Sequence, residues 1–550
     1  MCFLFRAVGI CALHGATAYV LLCSDLSGAT AAEVPTPTFA AGVQAKYGLL
    51  GRGQTVAIID SGIAYDHIAL GGGLGANFRV VGGKDLTLEN DSNPYDDAGP
   101  LNGHGTRVAS IIGADGGGEA GAAPNVDLVG VRVFSDGGAS YFTWIENALQ
   151  WVHANRNAFE SPITTVNLSI GSEWNSNSVP AWSTIEDELS RLEDDGIFIA
   201  ASAGNSFNNY NAPGLSYPAA SPHVIPAMSV DEADGQLSYF SQRHSRAIAA
   251  PGRLLTTAVP DYVADRDGIV DDFALSSGTD MAAPNLAGAS VIVREAFQFN
   301  GTANVTQQMI YDHMMSTADT IFDPETNQDY KRLNLLAAVD ALMPADDFGS
   351  TTGTATDLGT VSTSASRNGV VGTVADLDYF SFVAGKSGTI QLQTTASHYL
   401  VPEWTVRNSS GTLIASQVGG SVSFAAVSGQ RYYFALGTDE GIGRYAATVG
   451  FGPGTGISGD YNGNGRVDAA DYTIWRATLG STTDRRADGN GDGKVDTADY
   501  SYWKQRFGQS SGSAAYSITS DGLQLRVPEP ATVGLLGMAS LAVALFRIRH

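Results

Sequence analysis

The sequence predicts a multidomain chain: an α/β domain with a parallel sheet, then an all-β sandwich, then a small α module. Three observations carry this. Across residues 40–343, apolar strand-like runs alternate with longer helical patterns. From 346 to 452, short runs of Thr, Val, Tyr and Phe are separated by Gly, Ser and Asn turns, the texture of a sandwich. From 459 to 508 an acidic loop that runs into an aromatic helix occurs twice, opening at Asp460 and again at Asp488.

Composition sets the outer bounds. The 550 residues carry 31 Lys and Arg against 56 Asp and Glu, a net charge of −25. Phosphate binding needs clustered cations, so nucleic acid is excluded as a main partner. A hydrophobic content of 43% supports large cores and excludes global disorder.

The three cysteines, Cys2, Cys11 and Cys23, all fall in the first 23 residues. Residues 1–32 read as a secretory signal: Arg6, an apolar run from Ala7 to Cys23, then the small residues Ala29-Thr30-Ala31. Cleavage near Ala31 or Ala32 leaves a mature chain without cysteine, exported and free of disulfides. An uncleaved N-terminal anchor is the other reading.

In the α/β domain, Thr55–Ile59, Val126–Val133, Ile163–Leu168 and Gly196–Ala201 are the expected strands. Trp144–Ala154, Trp182–Asp194 and Ala282–Phe297 are the expected helices. Asp60 closes the first strand, at the carboxyl edge where an α/β sheet places its chemistry. His104 lies between two glycines in Asn102-Gly103-His104-Gly105-Thr106, ahead of the helix-forming stretch Arg107–Ile112. Ser277-Gly278-Thr279-Asp280-Met281-Ala282-Ala283-Pro284 opens a further helix.

Asp, then His, then a Gly-Thr-x-Met-Ala-x-Pro helix start resembles the subtilisin family of serine peptidases. The resemblance implies that Asp60 orients the imidazole and His104 is the general base. It also implies that Asn205, in Ala201-Ser202-Ala203-Gly204-Asn205, donates to the oxyanion. Ser169-Ile170-Gly171 resembles the strand that pairs with an extended peptide. His67 is expected to be structural, and acidic residues 265–272 a solvated loop.

One position departs from the family. Asp280 stands where the nucleophilic serine is expected. A carboxylate is a weak nucleophile towards an amide, and it sets a negative charge beside the oxyanion hole. Asp is a good N-cap and a helix start favours its charge, so folding need not suffer. Ser276 and Ser277 are near, but the family geometry aims neither at the histidine. The short stretch from Ala32 to Gly51 also leaves no room for an inhibitory prodomain. The expectation is an impaired peptidase that binds extended peptides without cutting them. The alternatives are an active endopeptidase with an atypical site and a scaffold component.

The sandwich at 346–452 resembles the bacterial pre-peptidase C-terminal module, on Asp376-Leu377-Asp378-Tyr379-Phe380-Ser381-Phe382 and Gly443-Arg444-Tyr445-Ala446. The repeat places oxygen side chains at loop positions 1, 3, 5, 9 and 12 with Gly at 6, the pattern of a calcium loop. These are Asp460, Asn462, Asn464, Asp468 and Asp471, then Asp488, Asn490, Asp492, Asp496 and Asp499. Arg466 and Lys494, at position 7, offer backbone carbonyls. Asp at position 12 and one helix per loop resemble a type I dockerin. That implies two calcium ions, and a cohesin partner met through Ala469-Ala470 and Thr497-Ala498.

A Ser/Gly-rich linker, 509–526, leads to 527–550. There Val527-Pro528-Glu529-Pro530 precedes a charge-free apolar run to Phe546 and the basic end Arg547-Ile548-Arg549-His550. The run makes roughly 24 Å of helix, at the short limit for a bilayer. This order resembles the PEP-CTERM sorting signal, which implies an exosortase partner and a place at the cell envelope or surface, with 531–546 as a transmembrane segment.

Overall fold

A computed structural model of the protein describes residues 38–116, 119–451, 459, 461, 467–490 and 493–509. The signal segment 1–32 and the sorting segment 527–550 lie outside the described residues. Among the described residues, no helix is long and apolar enough to cross a membrane. The chain divides into two compact units at Phe451/Gly452.

The first unit is built on a nine-stranded sheet. Its strands are β1 (Thr55–Asp60), β2 (Val80–Asp85), β3 (Asp127–Arg132), β4 (Ile163–Leu168), β5 (Phe198–Ser202), β6 (Ile225–Val230), β7 (Ile248–Pro251), β8 (Asp319–Asp323) and β9 (Gln328–Arg332). In space they run β8-β9-β7-β6-β5-β4-β1-β3-β2. Every pairing is parallel except β8 with β9.

Strand residues alternate between two apolar layers, as buried parallel strands must. Val56 and Ile58 of β1 face one layer, and Ala57 and Ile59 face the other. The first layer is closed by α1 (Thr38–Tyr47), α2 (His104–Gly113) and the long α5 (Thr279–Phe299). The second is closed by α3 (Phe142–Asn155) and α4 (Glu186–Asp194). α5 is buried almost all round, and Ala, Gly, Val and Ile make up nine of its 21 residues, which suits a core helix.

Several expected boundaries shift, most at helix starts. α4 begins at Glu186 rather than near Trp182, where three acids, Glu186, Asp187 and Glu188, supply the charge a first turn favours. α2 begins at His104 itself, three residues before the helix-forming stretch.

The β region follows in the same unit. Its strands are β10 (Thr356–Val361), β11 (Ser364–Val371), β12 (Asp378–Ala384), β13 (Gly388–Ala396), β14 (Val401–Asn408), β15 (Leu413–Val418), β16 (Ser421–Ala426), β17 (Arg431–Glu440) and β18 (Gly443–Phe451). They form two sheets, β10-β12-β17-β14-β15 and β11-β18-β13-β16, around Phe380, Phe382, Trp404 and Phe434. This sandwich docks on the α/β domain: Val370 and Ile442 join its first apolar layer, and His398 stacks on Phe299 at the end of α5, 5.4 Å between ring centres.

In the second unit, α8 (Ala469–Thr478) and α9 (Thr497–Lys504) are arranged reciprocally, taking the helices Gln307–Thr317 and Leu335–Asp340 as α6 and α7. Trp475 Nε1 donates to the Asp496 carbonyl (2.8 Å), and Trp503 Nε1 donates to the Asp468 carbonyl (3.1 Å). The sequence duplication is thus a structural one.

Candidate active site

Three elements bring the acidic and basic groups together. β1 delivers Asp60 at its carboxyl end, fully buried. α2 opens on His104, and two backbone features let it approach: Gly103 takes φ 70°, and a Cβ on Gly105 would stand 2.0 Å from the Gly62 carbonyl oxygen. α5 opens on Thr279 and Asp280. Gly278 caps this helix and Asp280 lies inside its first turn, so Asp280 is not the N-cap the sequence suggested.

The imidazole lies between two carboxylates. His104 Nδ1 is 2.8 Å from Asp60 Oδ1, and Nε2 is 2.9 Å from Asp280 Oδ2. Ionised carboxylates only accept, so two such bonds call for both ring nitrogens to carry protons. Burial opposes the charge, but the Asp60 carboxylate and the hydrogen bond to Asp280 outweigh it and raise His104 to about 10. At neutral pH the ring is an imidazolium.

The other oxygen of Asp280 is engaged as well. Asn205 Nδ2 donates to Asp280 Oδ1 at 3.0 Å. Asn205 is held for this from behind: its Oδ1 accepts from Thr279 N (2.8 Å) and from Thr279 Oγ1 (2.9 Å). One carboxylate therefore meets both the ring nitrogen that would activate a hydroxyl and the amide that would meet an oxyanion.

Ser169 Oγ donates to the Asp280 carbonyl at 2.6 Å, which ties the Ser169-Ile170-Gly171 segment to this point. Ser169 and Gly171 line a cavity of about 50 Å³ together with Asp280, Ser216 and Gln242. Ile170 and Gly171 also border an apolar recess with Phe134, Phe142, Ile145, Ile185 and Tyr217. Ser277 is occupied elsewhere, its Oγ accepting from Leu254 N (2.8 Å). His67 is structural: Nδ1 accepts from Ala69 N, which leaves Nε2 to donate to the Asp272 carbonyl, and burial lowers its basicity.

Two supporting residues were not foreseen. Asp96, fully buried, accepts from Thr106 N and Oγ1 and so anchors the first turn of α2; burial pushes it up to about 6. Ser61 Oγ accepts from Gly105 N (2.8 Å). Asp96 sits in an acidic run of ordinary appearance, and only the fold separates it from its neighbours.

In the second unit, the last acids of both loops are buried. Asp471 and Asp499 are fully enclosed, each reaching back to the N–H of the helix cap, Asp468 or Asp496, at 2.8 Å. Asp499 Oδ1 also accepts from Gly489 and Asn490 N, which draws the second loop around it. Asp499 thus links the start of the second loop, at Gly489 and Asn490, to its end at Asp496, and Lys494 Nζ pairs with Asp496 (3.0 Å). Buried carboxylates in an oxygen-only loop fit a hard cation such as calcium. Asp460, Asn462, Asn464, Arg466 and Asp492 lie outside the described residues.

Comparison with known proteins shows matches in three parts of the chain. Residues 458–508 match the dockerin type I domain, a calcium-binding module, and 526–549 match the PEP-CTERM protein-sorting motif. Subtilisin E of Bacillus subtilis (strain 168) is 28% identical over 273 residues, 49% of this chain and 62% of that protein. The chain thus spans less than two thirds of that relative's length. Subtilisin of Bacillus pumilus is 28% identical over 273 residues, covering 49% and 86%. Thermitase of Thermoactinomyces vulgaris is 29% identical over 292 residues, covering 52% and 89%. Residues 51–338, more than half of the sequence, match the Subtilase family, and the chain belongs to that family.

Proposed function

We propose that this chain is a pseudo-peptidase: its cleft holds extended peptides along Ser169-Ile170-Gly171 and does not cut them. The observation that carries the reading is the double engagement of Asp280, with His104 Nε2 on one oxygen and Asn205 Nδ2 on the other. A protonated His104 takes no proton from a nucleophile, and the oxyanion donor is already paired. In this reading Asp60, His104 and Asn205 keep their places in the family's machinery while Asp280 stands in for both the serine and the oxyanion.

The test uses the full chain with calcium. Wild type is expected to leave casein intact and to bind unstructured peptides, whereas Asp280→Ser is expected to cut. Hydrolysis by wild type that His104→Ala abolishes would overturn the reading in favour of an active endopeptidase with an atypical site.

The remaining segments support display. Residues 40–343 form the gripping domain, 346–452 a spacer, 459–508 a docking module with two calcium ions, and 509–526 a linker. A cohesin-type partner would meet Ala469-Ala470 and Thr497-Ala498. An exosortase would process 527–550, with 531–546 held in the membrane, after export directed by 1–32. Docking as the main function is the second reading, favoured by the reciprocal helix pair, and cohesin binding lost on chelation tests it.

A further inference from the structure

We infer that the Asp60, His104 and Asp280 array opens small, polar epoxides to diols, with Asp280 as the nucleophile and an ester of Asp280 as the intermediate. A carboxylate attacks an amide poorly because it must expel an amine, whereas a strained cyclic ether releases its oxygen as the ring opens. Such a nucleophile has no proton to lose. What ring opening calls for is a proton donor beside the attacking oxygen. Asp280 Oδ2 and His104 Nε2 are that pair, 2.9 Å apart, with Asp60 Oδ1 behind Nδ1 at 2.8 Å. The Asp280 side chain is 15% exposed, so the cleft reaches it.

The two oxygens of Asp280 have different partners, and the reaction uses each. Oδ2 attacks the less hindered ring carbon, the ring C–O bond breaks, and its electron pair goes to the ring oxygen. The opened chain turns about its C–C bond, and the alkoxide takes the Nε2 proton of His104. This leaves a hydroxyalkyl ester of Asp280 and a neutral imidazole. Oδ1 is now the ester carbonyl oxygen, already 3.0 Å from Asn205 Nδ2. His104 then takes a proton from water, the hydroxide adds to Asp280 Cγ, and Asn205 holds the charge that forms on Oδ1. Collapse breaks the Cγ–Oδ2 bond, and the departing oxygen takes the proton back from His104. The new carboxylic acid of Asp280 returns its own proton to the ring. The sum is epoxide plus water to vicinal diol, with no other reactant.

The proton count selects the substrate class. His104 begins charged because two carboxylates face it. Only a leaving group that accepts its proton, such as an epoxide oxygen, turns it into the base that the second step needs. A halide takes no proton and would leave the ring charged. The space beside Asp280 sets the size. Asp280, Thr279 and Asn205 border the cavity of about 50 Å³, whose other walls include Ser202, Ser216 and Gln242. That is room for about three or four water-sized groups among hydroxyls and amides. A short hydroxylated epoxide suits it better than a long apolar one.

Glycidol is the probe: the full chain with calcium is incubated with it and glycerol is measured. Wild type is expected to release glycerol over many turnovers, and His104→Gln is expected to lower the rate by ~10²-fold or more. His104→Gln is also expected to accumulate a glycidol adduct on the peptide that carries Asp280, which wild type clears. With protein in excess and water enriched in heavy oxygen, the first turnover is expected to leave the label on Asp280 and none in glycerol. Label in the glycerol of that first turnover overturns the ester route. Glycerol release by wild type no faster than by Asp280→Ala overturns the proposal. Neither result bears on the holding of peptides, which is read separately as peptide binding.

Discussion

Asp280 Oδ1 lies 3.0 Å from Asn205 Nδ2, so the Asp280 side chain occupies the amide that, in the proposed reading, an oxyanion would use. The same donor acquires work when the carboxylate is removed. In Asp280→Ser, Asn205→Ala is expected to lower casein hydrolysis by ~10²-fold or more, the usual worth of one oxyanion donor. In wild type the same substitution is expected to leave casein turnover at background. Thr279→Val, which strips the hydroxyl that holds Asn205 Oδ1 and accepts from Gly204 N at 3.0 Å, is expected to cost about 1–3 kcal/mol of stability in a denaturant titration.

The charge on His104 gives a second prediction. Its folded value is raised to about 10 by the two carboxylates, against about 6.5 when unfolded. The stabilisation from its charge is therefore complete below about pH 6.5 and is lost as pH rises through about 10. Imidazole proton NMR is expected to show His104 charged at pH 8. In Asp280→Ala, one of the two carboxylates is gone and the titration is expected to move down. A neutral ring at pH 8 in wild type would contradict the ion sandwich.

Calcium removal gives a third. Trp475 and Trp503 each bond the carbonyl of the opposite loop's position 9, so loop order and indole environment are linked. Chelation is expected to red-shift the tryptophan emission from this module and to weaken cohesin binding. At calcium a thousandfold above Kd, its removal costs about 4 kcal/mol of module stability. Asp499→Asn is expected to mimic chelation in the second loop.

Much of this was legible in the sequence, and the physical reasons differ by element. The four central strands could be read because parallel strands buried on both faces are continuous apolar runs: Ile163–Leu168 is observed as read. Asp60, His104 and Asp280 could be found because sharp turns and a helix start leave local signatures. Asp96 and Ser61 could not, since each acts on a partner that only the tertiary fold brings near. Asp378 could be tied to a family motif, but its unpaired oxygen is visible only once Tyr445 has taken the other one. The docking of the sandwich on α5 left no pattern, because Val370, His398 and Ile442 look like ordinary strand and turn residues.

That docking surface supplies the last prediction. Glu295 sits on α5 one turn before Phe299, buried, with Oε2 accepting from Gly51 N at 2.8 Å. Burial pushes it up to about 7, against a usual 4.5, while Gly51 and the charge of Arg52 work the other way. Here the folded state binds the proton more tightly than the unfolded one. Its contribution is thus fully present below about pH 4.5 and is lost as pH rises towards 7, on the order of 3 kcal/mol in all. Glu295→Gln keeps an acceptor for Gly51 and carries no charge. Denaturant unfolding is expected to show its stability falling less than wild type's between pH 5 and pH 8, with the largest gain at the alkaline end. Parallel pH curves for the two proteins would mean that Glu295 is ionised at neutral pH, balanced by Arg52, whose guanidinium lies 5.5 Å from the centre of the Tyr399 ring.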